Sequence, residues 1–106
     1  MKHKIRISPL VLSDVDEIKM YIAENNLSAS EKICTEIYSL IEKLGDYPEL
    51  GVSLSSKINL KSDFRYLVCS KLLIFYKIEG EFISIYRILN GQMDYLSILF
   101  DSDFIE

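Results

Sequence analysis

Tryptophan is absent from this chain of 106 residues, histidine occurs once, and cysteine and proline occur only twice each. The one histidine, His3, stands beside the N-terminus, so a Ser-His-Asp or Cys-His device would have to be built from a chain end. Cys34 and Cys69 lie far apart with no second cysteine or paired histidine near either, which excludes a zinc cage and a disulfide framework. Both read as small buried hydrophobes in a reducing compartment. The four glycines, Gly45, Gly51, Gly80 and Gly91, stand alone, so no phosphate-cradling nucleotide loop is present. The longest unbroken apolar run, residues 72–76, falls far short of the roughly 20 residues that a membrane span needs. The basic start resembles a signal peptide, but Ser8-Pro9 and Ser13-Asp14 interrupt the apolar region that should follow. A cytoplasmic protein without membrane contact is expected.

What the chain does contain fits one folded domain over residues 1–106. Its mass is 12.3 kDa, and 49% of its residues are hydrophobic, with seven Tyr and five Phe. That is enough apolar content for a single core and too much for disorder. The formal charge of −4 argues against direct non-specific DNA binding, which needs a basic body. Charge is unevenly placed: residues 1–12 carry three bases and no acid, whereas residues 13–50 carry nine acids and three bases. Residues 51–77 carry five bases and one acid, and residues 78–106 one base and six acids. A basic strip is therefore expected if the first strand and the segment from Arg65 to Lys77 come together; the alternative is a sheet edge kept soluble by lysines.

Ile5 and Ile7 alternate with Lys4 and Arg6, the period of a short half-buried strand. Ser8 and Pro9 suit the N-cap and first position of a helix running to about Asn25, with Val11, Val15, Ile18 and Ile22 as its buried stripe and Tyr21 beside them. Ser28 with Glu31 fits a capping box for a second helix. Its inward face is Ile33, Ile37, Tyr38, Leu40, Ile41 and Leu44, and Gly45 is placed for a left-handed close. The two helices form a hairpin. Residues 45–63 read as a loop. Three strands follow at about residues 64–69, 72–78 and 82–90, with a tight turn at Glu79-Gly80. Residues 94–100 close the chain as a helical turn packed on the sheet through Leu96, Leu99 and Phe100. No internal repeat or low-complexity segment is present.

Carboxylates such as Asp14, Asp16, Glu17, Glu31, Glu36 and Glu42 lie on helix faces and read as solvated charge. Chemistry is therefore sought on the sheet, at Arg65, Tyr76, Arg87, Asn90 and Gln92. Two arginines near one sheet surface can clamp a phosphate or anchor a protein interface. For Arg87 a third reading is an ion pair with a helix carboxylate such as Asp14. The residues suggest neither a metal site nor a cofactor.

Several segments resemble the RelE/ParE superfamily, the toxins of bacterial type II toxin–antitoxin (plasmid stabilisation) modules. SPLVLSDVDEIKMYIAE is similar to the family's Ser-Pro opening and its Ile-x-x-Tyr-Ile pattern. YPELG resembles an aromatic-Pro-x-x-Gly stop after the second helix, and FRYLVCSKLLIFYKIEGEFISIYRILNGQMD resembles the family's three closing strands. The resemblance implies an α+β fold: an N-terminal strand, a helical hairpin, a mostly antiparallel twisted sheet of about four strands, and a short C-terminal tail. It also implies a cognate antitoxin partner and no cofactor.

Members that cut messenger RNA on the ribosome are similar to one another in carrying charged or titratable groups where this chain has Leu73, Asn90 and Gln92. Asparagine and glutamine cannot serve as general acid or base at neutral pH. Candidates for a catalytic role are thus reduced to Arg65, Arg87 and Tyr95, with Lys71 able to lend charge. The segment from Phe64 to Asp94 is closer to ParE-like members, which poison DNA gyrase through protein contacts. That function is the expectation. A ribosome-dependent endoribonuclease and an inactive binding module of the same fold are the alternatives. Target or antitoxin contacts are expected at Arg65, Tyr66, Lys71, Tyr76, Arg87, Asn90 and Gln92.

Overall fold

The computed structural model describes residues 2–58 and 61–104. Five strands and four helices follow one another as β1 (Lys4–Ile7), α1 (Pro9–Ala23), α2 (Leu27–Leu44), β2 (Val52–Ser53), α3 (Leu54–Lys57), β3 (Arg65–Cys69), β4 (Leu72–Glu79), β5 (Phe82–Asn90) and α4 (Tyr95–Phe104). The sheet order is β1-β5-β4-β3-β2; β1 runs parallel to β5 and every other neighbouring pair is antiparallel. The expected α+β architecture is present, with one strand more than anticipated. Val52 and Ser53 pair with Tyr66 and Arg65, and Leu54 then opens a single helical turn with its side chain fully buried. Both elements lie in the stretch read as loop, because a strand of two residues shows no periodicity.

The helical hairpin covers one face of the sheet. Val11, Val15, Ile37, Ile41 and Leu44 pack there on Ile74, Tyr76, Ile83, Ile85 and Ile88. On the opposite face Leu54, Phe64 and Leu99 cover Tyr66, Leu73, Phe75 and Leu89, with Leu96 and Phe100 of α4 packed alongside. The middle strand β4 is buried on both faces, which accounts for its unbroken apolar run.

Local signals were met with some exceptions. Ser8 caps α1, its Oγ accepting from Leu10 N at 3.2 Å, and Pro9 takes the first helical position. Helix α2 begins earlier than the expected capping box: Asn26 Oδ1 accepts from Ala29 N at 3.0 Å, so Ser28 is already helical. Gly45 keeps right-handed helical backbone with φ −61°, and its small size serves packing instead. A Cβ there would lie 3.2 Å from the His3 carbonyl oxygen, whose residue binds Gly45 O through its N–H. Ser30, fully buried, donates from Oγ to Lys19 O at 2.9 Å and lets the two helices approach closely. Tyr38, placed by periodicity on the inner face of α2, is instead exposed, as is Tyr21 beside the α1 stripe. Gly80 supplies positive φ (64°) to the β4–β5 turn, which is formed by Gly80 and Glu81.

Cys69 illustrates the inert cysteine that composition suggests. Burial pushes its thiol up, and the charge of Glu36 together with the contact from Sγ to Glu36 Oε2 at 3.8 Å adds to that. Since the thiolate is the nucleophile, iodoacetamide at about pH 8 is expected to modify Cys69 at least about tenfold faster in denaturant than in the native protein. Mass spectrometry of the Cys69 peptide over time would check it; equal rates would show that the strand end opens freely.

Candidate binding groove

Strand β5 carries an extra residue. Ile85 pairs with Tyr76 and Arg87 with Phe75, so Tyr86 is the extra residue between these two register pairs, its hydroxyl donating to Glu79 Oε2 at 3.0 Å. The bulge changes the parity of the strand, so that Ile83, Ile85 and Ile88 all reach the hairpin-facing core. It also brings the Arg87 side chain and the Ile88 N–H to one carboxylate on α1. Arg87 Nε and Nη2 donate to Asp14 Oδ2 and Oδ1, both at 2.8 Å, and Ile88 N donates to Oδ2 at 3.0 Å. The pair is largely shielded, with side-chain exposures of 22% for Arg87 and 7% for Asp14. The hydrogen bonds that the guanidinium donates to Asp14 raise its pKa above the ordinary value, burial opposes, and the charges of Asp14 and Glu17 add to the rise. Of the three readings open for Arg87, the ion pair is the one formed, and Asp14 is a buried partner where a solvated charge was expected.

Tyr76 and Arg65 are committed elsewhere. The buried Tyr76 hydroxyl donates to Pro48 O at 2.7 Å and accepts from Gly51 N at 2.9 Å. Arg65 Nη2 donates to Gly51 O at 2.7 Å and Glu49 O at 3.3 Å, while its buried Nε has no partner among the described residues. Together they fasten the Tyr47–Gly51 turn to the sheet. Arg65 and Arg87 thus serve separate contacts and do not clamp a common anion. Tyr66 is buried beneath Lys57, whose Nζ lies 5.4 Å from its ring, and Tyr95 packs at 5.5 Å against Phe75. Asn90 Oδ1 accepts from Gln92 N at 2.8 Å, closing the chain reversal after β5, with Gln92 exposed.

The expected basic strip is not assembled. Strand β1 lies at one edge of the sheet, separated from β3 by β5 and β4. Arg6 pairs with Glu79 at 3.3 Å and stacks over Phe82, and Lys77 Nζ sits 4.4 Å from the Phe64 ring centroid. A polar cleft of about 350 Å³ beside Arg65 and Lys77 also holds Asp63 and Glu79, so its formal charges cancel.

The larger concavity, about 410 Å³, lies between α1, the β3–β4 turn, the end of β5 and α4. Its walls are apolar, from Ile18, Ile22, Ile33, Leu72 and Ile98, with the exposed Tyr21 and Met93 standing at it. Polar groups reach it from Asp14, Glu17, Arg87, Lys71 and Asn90. Three expected contact residues, Lys71, Arg87 and Asn90, therefore share this groove, while Tyr66, Tyr76, Arg65 and Gln92 do not line it. Sequence reasoning missed Glu17, Tyr21, Ile22 and Met93 as groove residues. The available signal was Tyr21, a large aromatic directly before Ile22 at the edge of the α1 stripe.

Among the described residues no helix is long and apolar enough to cross a membrane. The family model described as "ParE toxin of type II toxin-antitoxin system, parDE" matches residues 5–95. The chain is similar to a solved structure titled "Chromosomal ParDE TA system from P. aeruginosa", with a TM-score of 0.68 and 17% identity, covering 84% of this chain and 96% of that one. At that identity the likeness is one of fold. No curated protein matches.

Proposed function

Because the chain belongs to the ParE toxin family of type II toxin–antitoxin systems and is the toxin component of such a module, we propose that it poisons DNA gyrase through protein contacts in the cytoplasm and that a cognate antitoxin silences it by filling the apolar groove. The observation that carries this reading is the groove itself: a concave apolar surface with exposed Tyr21 and Met93 at its margin, the composition of a protein-binding site. The groups that a phosphodiester cleavage would need support the same view. Arg87 is tied to Asp14, Arg65 to the Gly51 turn, and Tyr95 to Phe75, so the three candidates do not converge on one point. Leu73 is buried, and Asn90 and Gln92 offer no titratable group.

Induction of the protein in growing cells is expected to trap gyrase on cleaved DNA while transcripts remain intact, and co-expression of the protein encoded by the adjacent reading frame is expected to restore growth and yield a stable complex. Transcript ends phased with codons would overturn the gyrase reading in favour of a ribosome-dependent nuclease. Recovery of only the free protein on co-expression would overturn the antitoxin assignment.

A further inference from the structure

Charge in the groove is arranged on two separate walls. On the α1 wall stand Asp14 and Glu17, with Arg87 as the cation beside them among the described groove residues, a formal excess of one negative charge. On the β3–β4 turn stands Lys71, with Ser70 and, across from it, Asn90 as neutral neighbours. Asp14 and Arg87 satisfy each other. Glu17 and Lys71 are exposed and take part in no ion pair among the described residues. The apolar floor between them thus runs from a negative wall to a positive one.

From this we infer that the groove selects the orientation of its occupant by charge: it takes a segment of the antitoxin that lays apolar side chains on Ile18, Ile22 and Leu72, sets a lysine or arginine against Glu17, and sets an aspartate or glutamate against Lys71. This rests on the proposed antitoxin occupancy of the groove. The physical basis is that rim charges contribute modestly to affinity but fix register and reject partners whose charges are reversed. A segment with the opposite polarity would place an acid against Asp14 and Glu17 and a base against Lys71, leaving both ends repelled. The apolar floor, being uncharged, gives no electrostatic preference for either direction.

The test uses the full chain and the protein encoded by the adjacent reading frame, with affinity measured by calorimetry at low and high salt and folding checked by thermal melting. Glu17→Lys and Lys71→Glu, both at exposed positions, are expected to weaken binding about tenfold at roughly 50 mM salt and by less than about threefold at roughly 500 mM, where the Debye length has become short. Tyr21→Ala and Met93→Ala, which remove apolar contact without altering charge, are expected to weaken binding similarly at both salts. If the apolar variants weaken binding and the charge variants do not, the charge selection is overturned while groove occupancy stands. If none of the four changes affinity, groove occupancy fails and the inference fails with it. A free protein that sediments as a dimer dissociated by Tyr21→Ala would also overturn the inference, by assigning the groove to a second copy of the chain.

Discussion

Asp14→Ala is expected to destabilise the fold by about 3 kcal/mol, more than any other single change to a side chain that looks, from sequence, like surface charge. The carboxylate accepts three hydrogen bonds, two from Arg87 and one from the Ile88 N–H at the β5 bulge. Its removal leaves a largely shielded guanidinium and a buried backbone donor without partners, and each such loss costs more than the intact interaction contributes. Asp14→Asn, which keeps an acceptor but loses the charge, is expected to fall between the variant and the parent. Arg87→Ala should cost less than Asp14→Ala, since Asp14 would still be held by Ile88 N. Urea denaturation with an unchanged slope would establish these as effects on stability. A loss below about 1 kcal/mol for Asp14→Ala would mean that water replaces the carboxylate at the bulge. Because the same pair lines the groove proposed to hold the antitoxin, the variant is expected to bind the antitoxin less well even where it remains folded.

Gly51→Ala is expected to be nearly as damaging, for a reason of space. A Cβ at Gly51 would stand 2.6 Å from the Tyr66 carbonyl oxygen and 2.7 Å from the Tyr76 hydroxyl. The Tyr76 hydroxyl cannot retreat, since it is fully buried and bound to both Pro48 O and Gly51 N, so the turn must move instead. Overpacking of this kind costs about 2 kcal/mol, and displacement of the turn removes the hydrogen bonds from Arg65 as well. For a domain of this size the melting temperature should fall by about 10 °C. A variant that melts within about 2 °C of the parent would show that the Tyr47–Gly51 turn is not held to the sheet in solution.

These two residues also mark where the sequence was legible and where it was not. The strand, helical hairpin and three closing strands could be read because each apolar pattern extends over several periods, as in α1 at Val11, Val15 and Ile18 or in the alternation of Ile83 and Ile85. Strand β2 and helix α3 escaped because Val52–Ser53 and Leu54–Lys57 are shorter than any period. Tyr38 was placed inward because an amphipathic ring on the flank of a stripe fits either side of the boundary. Candidate residues fared by distance. Asn90 and Gln92 are near neighbours, and their turn is a local matter; Tyr76 and Gly51 are 25 residues apart, and Asp14 and Arg87 are 73 apart. No periodicity reports such pairs, so Arg65 and Tyr76 looked available for a ligand when they are holding the fold, and the Arg87–Asp14 pair stood only as one of three readings. The groove was invisible for the same reason, being built from four separated segments, in α1, in α2, at the β3–β4 turn and from β5 to α4, and having no motif of its own.

The pairing of β1 with β5 sets a clock on synthesis. Lys4 to Ile7 find their sheet partners in Phe82 to Ile85, and the Arg6–Ser84 contact spans 78 residues. At roughly 5–20 residues per second the first strand waits about 4–16 s for its neighbour to be translated. During that interval the inner faces of α1 and α2 have no complete sheet to cover them. Folding of this toxin is therefore a late event, completed only once β5 has been made, and the unfinished hairpin is the species on which aggregation or capture by a chaperone would act.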